Sequence, residues 1–212
     1  MSVSANQVRD VVSRALTALQ AHADELRGLD AALGDGDLGI TVQSGSKAVI
    51  AAWAALPAEA AVSDLLLAAG KAFSTANPST FAALVGGGLL AAAKTVTGKT
   101  EAGKIDKLDK ADVLAIGRAV AGRIAERGKS QLGDKTVLDA LVPSLDVLDA
   151  GEGEAPQLLA AMIATAHERI DATAGQQSRK GRAAWVQERS VGHPDPGATA
   201  YLRFLECLRD AW

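Results

Sequence analysis

The sequence predicts an all-α fold, an antiparallel bundle of eight helices, and three observations carry that prediction. Apolar residues recur at helical intervals of three and four along almost the whole chain. Of the 212 residues 48% are hydrophobic but only 3% aromatic, so alanine and leucine dominate and favour helices packed closely on small side chains. Convincing alternating strands are missing; Lys94 to Thr100 is the best candidate and a weak one.

Val8, Val12, Ala15, Leu19, Ala23 and Leu26 share one face and define the first, long helix. A second runs from about Ile40 to Leu56 and stops at Pro57. Ser63 and Asp64 cap a third, which reaches about Ala76. The fourth covers about Thr80 to Val96 and contains Gly86, Gly87 and Gly88. Each glycine costs up to about 1 kcal/mol against alanine in a helix, so the triplet marks close approach by a neighbouring helix or by a ligand. Val113, Ile116, Val120 and Ile124 define a fifth helix that ends near Gly128. The sixth spans about Lys135 to Leu148, with Pro143 kinking it or sitting near a break. Pro156 opens a seventh, to about Ala174, and the eighth runs from near Pro196 and Gly197 to the C-terminus. Short connections make consecutive helices antiparallel.

The length fits one domain, residues 1–212, with a substantial core. A net charge of −3 argues against non-specific nucleic-acid binding. The single Cys207 excludes an internal disulfide framework and fits a reducing compartment. The N-terminal stretch, with Asn6, Arg9 and Asp10, lacks the apolar region of a signal peptide, and no apolar stretch is expected to reach the length of a membrane span. The expectation is a cytoplasmic protein without membrane or nucleic-acid partners.

The densest chemistry lies in Asp30, Gly34, Asp35, Gly36, Asp37, Leu38 and Gly39, where three carboxylates fall within eight residues. No Lys or Arg lies among them; the nearest are Arg27 and Lys47. Two carboxylates about 5 Å apart repel by roughly 3 kcal/mol at an effective dielectric near 20. Gathering three therefore calls for a cation or for protonation of one of them. All-oxygen ligation suits Mg²⁺ or Ca²⁺, and the spacing is not that of an EF-hand, so the cluster reads as a phosphate-metal site or as a solvated acidic turn capping a helix. The same residues spell G-x-G-x-x-G, but the stretch before them is helical and Asp35 and Asp37 would repel a pyrophosphate, which excludes a dinucleotide fingerprint.

In an up-and-down bundle alternate connections lie at one end. The joints between helices one and two, three and four, five and six, and seven and eight therefore share a mouth. That topology gathers the Asp cluster, Asn77 to Thr80, Gly133 to Thr136, and Asp195 to Gly197 in one place. Lys94-Thr95, Lys99-Thr100 and Lys135-Thr136 each resemble the end of a P-loop, but none has its glycine spacing or a preceding strand. Helix N-termini still attract phosphate, and Thr41, Ser79, Thr80 and Thr136 lie near them, where such residues also serve as plain caps. Arg182 and Arg189 flank Trp185; a guanidinium there clamps a diphosphate or pairs with Glu188 at the surface. His193, between Gly192 and Pro194, reads as catalytic or as a loop histidine that only hydrogen-bonds, His22 and His167 fit structural or exposed helix positions, and Cys207 fits a packing position.

Taken together, Leu29 to Asp37, Gly133 to Thr136, Gly181 to Ala183 and Glu188 to Thr199 closely resemble, in order and spacing, the L subunit of dihydroxyacetone kinases. The resemblance spans nearly the whole chain. It implies an eight-helix barrel that holds ADP or ATP through two Mg²⁺ ions at one end. It implies that Asp30, Asp35 and Asp37 ligate the metal, and that with Arg182 they form the catalytic set. Leu38, Gly39, Ile40 and Thr41 would line the phosphates, Ser79 and Thr80 would grip them, and Gly128, Val137, Arg182, Asp195, Pro196 and Gly197 would frame the nucleotide. A separate K-type subunit would carry the ketose, and in one branch a phosphotransferase-system phosphocarrier would rephosphorylate a permanently bound ADP. A non-catalytic regulatory module is a further reading, and a homodimer is left open. Two departures stand out: Leu38 replaces a usual polar residue, and Pro78 to Ala82 replaces a glycine- and serine-rich loop.

Overall fold

The structure, a computed structural model, describes residues 2–97 and 107–212. Among these the α-helices are α1 (Ala5–Leu19), α2 (Ala23–Leu33), α3 (Leu38–Ala54), α4 (Val62–Ala76), α5 (Thr80–Thr97), α6 (Lys110–Gly128), α7 (Leu138–Ala150), α8 (Ala155–Ala174) and α9 (Pro196–Ala211). A 3-10 turn, Gln20–His22, joins α1 to α2, and Leu19, Gln20 and Ala23 keep right-handed helical dihedrals. The two segments thus form one rod, the single long helix that the periodicity predicts, and the described chain makes eight rods.

Each rod packs on the next, and α9 packs back on α1 and α2, so the ring closes into an antiparallel barrel. One apolar cluster includes Leu26, Val42, Trp53, Leu65 and Phe73; the other includes Ile124, Leu145, Leu158, Met162 and Leu202. Val113, Phe204 and Leu208 pack against both. Burial at about 25 cal/mol per Å² makes these clusters the main stabilising contribution. Specific polar ties fix the stagger of the rods. Trp53 Nε1 donates to the Leu65 carbonyl at 2.8 Å across α3 and α4, and Arg203 forks onto Glu25 at 2.6 and 2.9 Å across α9 and α2.

Several boundaries differ from the sequence reading. The sixth helix starts at Leu138, because Lys135 adopts left-handed backbone (φ 60°) that no helix accepts, and it runs through Pro143 without a break. The cap of α4 is Ala61, whose N–H donates to the Asp64 carboxylate at 3.0 Å, while Ser63 lies inside the helix and buried. Lys94 to Thr97 are helical, which overturns that part of the strand candidate; residues 98–100 lie outside the described residues. The strands present are Ser2–Ser4 (β1) and Lys107–Asp109 (β2), paired antiparallel with Val3 opposite Leu108. Three-residue strands are too short to reveal an alternating pattern.

Helix α5 is, by length and composition, apolar enough to cross a membrane, contrary to the sequence expectation. A third of that stretch is buried in the fold. It lies between α4 and α6, and a Cβ on Gly86 would fall 2.7 Å from the Gly70 carbonyl, one on Gly88 3.2 Å from Val120 Cα. These glycines let the backbones approach; Gly87 has no such constraint, its nearest neighbour being Arg123 Cγ at 4.0 Å.

Candidate functional site

Asp30 lies in the last turn of α2, Asp35 on the turn that follows, and Asp37 at the N-cap of α3. Gly36 makes the reversal with φ 74°, a conformation that side-chained residues rarely adopt. The fold then ties the cluster together: Asp30 Oδ2 accepts the Leu38 N–H at 3.1 Å. One carboxylate oxygen from each of Asp30, Asp35 and Asp37 lies within 4.8 Å of the other two. Burial pushes the Asp37 carboxyl above its ordinary range, and the neighbouring charge of Asp30 pushes it further. Both effects disfavour an unpaired negative charge at that position.

Counter-charge comes from a distant segment. Gly181 (φ 66°) turns the chain into a 3-10 turn, Arg182–Ala184, and the Arg182 guanidinium pairs with the Asp35 carboxylate and stands 3.8 Å from that of Asp37. The surface alternative, pairing with Glu188, is not what Arg182 does. Asp37 makes no side-chain cap to α3, so the first-turn N–H groups of Gly39 and Ile40 have no cap and open toward an anion.

Contacts between the other three joints complete the mouth. Asn77 Nδ2 donates to Thr41 Oγ1 at 2.7 Å, and Thr41 Oγ1 donates to Ser79 Oγ at 3.0 Å. Ser79 Oγ in turn accepts the Ala82 N–H and caps α5. Gly197, in the first turn of α9, sits with its Cα side against Phe81 of α5, where a Cβ would meet Phe81 Cε2 at 3.4 Å. Lys135 of the 129–137 joint donates to carbonyls of the 174–195 joint. The N-termini of α3, α5, α7 and α9 therefore face one end of the barrel.

The predicted residues fall into distinct environments there. The Leu38 side chain is buried in the core, so only its backbone faces the cluster. Gly39 is required by packing, because a Cβ would fall 2.0 Å from the Ala23 carbonyl. Ile40 is 53% exposed, whereas Thr41 is buried with its hydroxyl committed to Asn77 and Ser79. Thr80 is exposed at the start of α5, Gly128 ends α6, and Val137 precedes α7. Asp195 caps α9 through the Ala198 N–H at 2.7 Å, with Pro196 and Gly197 as the first helical residues. Its carboxyl is pushed up to about 7, chiefly by burial and further by Asp139, against the pull of Ala198 N–H and Lys135, although the residue keeps part of its surface exposed.

Sequence reasoning passed over Lys135 and Asp139 as functional groups. Both are buried, and Asp139 accepts the N–H groups of Gly133 and Thr136 at 2.6 and 2.8 Å. The signal is the compact run Gly133-Asp134-Lys135-Thr136, which topology and resemblance both place at the mouth without giving Lys135 or Asp139 a role there.

The chain matches the family model described as DAK2 domain over residues 32–210. It is 31% identical to the "PEP-dependent dihydroxyacetone kinase 2, ADP-binding subunit DhaL" of Listeria innocua, over 90% of this chain and 87% of that one. It is 28% identical to the corresponding Escherichia coli subunit, covering 98% and 97% of the two chains. With the "L-erythrulose 1-kinase" of Mycolicibacterium smegmatis it shares 35% identity over 94% of its own length, but spans only 35% of that protein. A crystal structure of the dihydroxyacetone kinase from C. freundii in complex with AMP-PNP and Mg²⁺ superposes with a TM-score of 0.74 at 21% identity, over 97% of this chain and 34% of that one, a likeness of fold.

Proposed function

This chain belongs to the DAK2 domain family, and from that premise we propose that it is the nucleotide-binding component of a kinase acting on a short ketose. The observation that carries the reading is the meeting of three carboxylates, one guanidinium and the N-terminus of α3 at the mouth of the barrel. Hard carboxylate oxygens at this spacing suit Mg²⁺, and Asp30, Asp35 and Asp37 would hold two such ions with ADP or ATP. Bound Mg²⁺ would neutralise phosphate charge and favour in-line phosphoryl transfer.

The protein's own groups do the orienting. The Leu38 N–H holds one oxygen of Asp30 and so fixes that carboxylate beside Asp35 and Asp37. The N–H groups at the start of α3 offer partial positive charge to phosphate. Arg182, already at the cluster, would turn its fork to the phosphates. Ser79 and Thr80, with the frame of Gly128, Val137, Asp195, Pro196 and Gly197, would bound the nucleotide. The acceptor would arrive on a K-type subunit docked over the mouth, whose rim carries exposed Ile40, Leu132, Trp185 and Val191. Identities of 35% and 37% to two erythrulose kinases, and of 31% to a dihydroxyacetone kinase subunit, support a three- or four-carbon ketose as the acceptor. We extend the reading to one domain over residues 1–212, acting in the cytoplasm.

A second reading keeps the site but makes ADP a permanent cofactor, rephosphorylated by a phosphotransferase-system phosphocarrier. The near-full-length match to subunits named PEP-dependent favours it. Calorimetry of ADP with and without Mg²⁺, followed by ketose phosphorylation with a K-type partner added, tests the first reading. Metal-independent ADP binding, or robust ketose phosphorylation by this chain alone, defeats it. Retention of ADP through extensive dilution selects the permanent-cofactor reading.

A further inference from the structure

We propose that Lys135 is a positioning residue: its buried ammonium anchors the base of the 174–192 loop and so sets where Arg182 meets the carboxylate cluster. The inference rests on the nucleotide-site reading given above.

Lys135 is 1% exposed. Its ammonium has three N–H donors, and each has a carbonyl: Ala174 at 2.9 Å, Gln176 at 2.8 Å and Ser190 at 2.6 Å. Those carbonyls come from both ends of one long loop, so this side chain joins its entry to its exit, beside the backbone bond from Gly192 N–H to the Ala174 carbonyl. The backbone of Lys135 is left-handed, an uncommon state for a side-chained residue, and the conformation is enforced by Asp139, which accepts Gly133 and Thr136 N–H. A buried ammonium without acceptors would be costly; here the loop carbonyls satisfy it completely.

Hydrogen bonds rather than apolar packing hold the rest of the loop. Trp185 is 82% exposed and Val191 46% exposed, so apolar packing of its large side chains does not fix its tip. Its interior is polar. Ser178 N–H donates to Ser190 Oγ, Ser190 Oγ donates to the Gln187 carbonyl, and Gly192 N–H closes on the Ala174 carbonyl. Arg179 N–H donates to the Asp134 carbonyl, next to Lys135. Arg182 lies three residues further on and reaches Asp35 and Asp37. The chain of contact runs from the Lys135 ammonium, through the loop base, to the guanidinium at the cluster.

The test uses the full chain with Lys135→Met, Arg182→Ala and the double variant. Hydrogen exchange without ligand reads the loop, and calorimetry reads MgADP affinity. Lys135→Met should speed exchange in residues 175–192 by about tenfold or more while α7 and α8 stay protected. Its MgADP affinity should fall by roughly tenfold, and the double variant should bind no more weakly than Arg182→Ala, because both changes remove one interaction. Unchanged loop exchange, or losses that multiply in the double variant, would overturn the proposal. Lys135→Gln, which keeps two N–H donors, replaces Lys135→Met if the latter does not fold. Failure of the wild-type chain to bind MgADP would overturn the nucleotide reading and the role toward Arg182, whereas the exchange arm would still decide the anchoring.

Discussion

The Arg182 guanidinium pairs with the Asp35 carboxylate and lies 3.8 Å from Asp37, so the acidic turn between α2 and α3 carries an internal cation from the loop before α9. Arg182 and a divalent ion compete for the same oxygens until phosphates give the guanidinium a new partner. Arg182→Ala should therefore have opposite effects on two ligands. Binding of Mn²⁺ alone should tighten by up to about fivefold, the value of a half-exposed ion pair. MgADP binding should weaken. Calorimetry with the two ligands checks both signs, and a loss of affinity for both would refute the competition.

Asp35→Asn removes one carboxylate from the cluster and also the partner of Arg182. The lost ion pair and the relieved repulsion offset one another. The stability of the unliganded chain should then stay within about 0.5 kcal/mol of wild type. MgADP affinity should fall by more than the roughly 10–100-fold that follows loss of an outer-shell metal partner. Urea melts and calorimetry measure the two effects; unchanged MgADP affinity would remove Asp35 from the site.

Asp195 makes stability depend on pH. Burial raises its pKa from 3.8 to about 7 in the folded chain, so folding favours the protonated acid. Its contribution is complete below pH 3.8 and is lost as pH rises through about 7. Asp195→Asn keeps a cap for the Ala198 N–H but removes the charge. Relative to wild type the variant should gain stability between pH 4.5 and 8, at no more than about 1.4 kcal/mol per pH unit. Denaturant melts across that range test the sign; parallel curves would show that the carboxyl is ionised in the fold at all these pH values.

The glycines of α5 should respond unequally to alanine. Gly86→Ala forces a Cβ to 2.7 Å from the Gly70 carbonyl and nearer still to Ser74 Oγ, and should cost about 2 kcal/mol or more. Gly87→Ala meets only Arg123 Cγ at 4.0 Å and should stabilise the chain by up to about 1 kcal/mol through helix propensity. Thermal melts of the two variants decide it. Equal destabilisation would mean that the triplet serves something other than helix packing.

The sequence by itself determined the eight rods and the acidic turn, because both are local. Helical period is set by neighbours three and four residues apart, and Asp30, Asp35 and Asp37 need only one turn to meet. Parity of an up-and-down chain even placed four joints at one mouth. Tertiary structure decided which groups from those joints touch. Arg182 finds Asp35 rather than Glu188 because Gly181 turns with positive φ above the acidic turn. Lys135 becomes a buried clamp rather than the first residue of a helix because its own backbone is left-handed and the loop carbonyls converge on it. Thr41 spends its hydroxyl on Asn77 and Ser79, and Gly39 answers to the Ala23 carbonyl, through the stagger of neighbouring rods. Period and parity do not encode stagger or loop dihedrals; those follow from side-chain packing and polar pairing across the closed barrel.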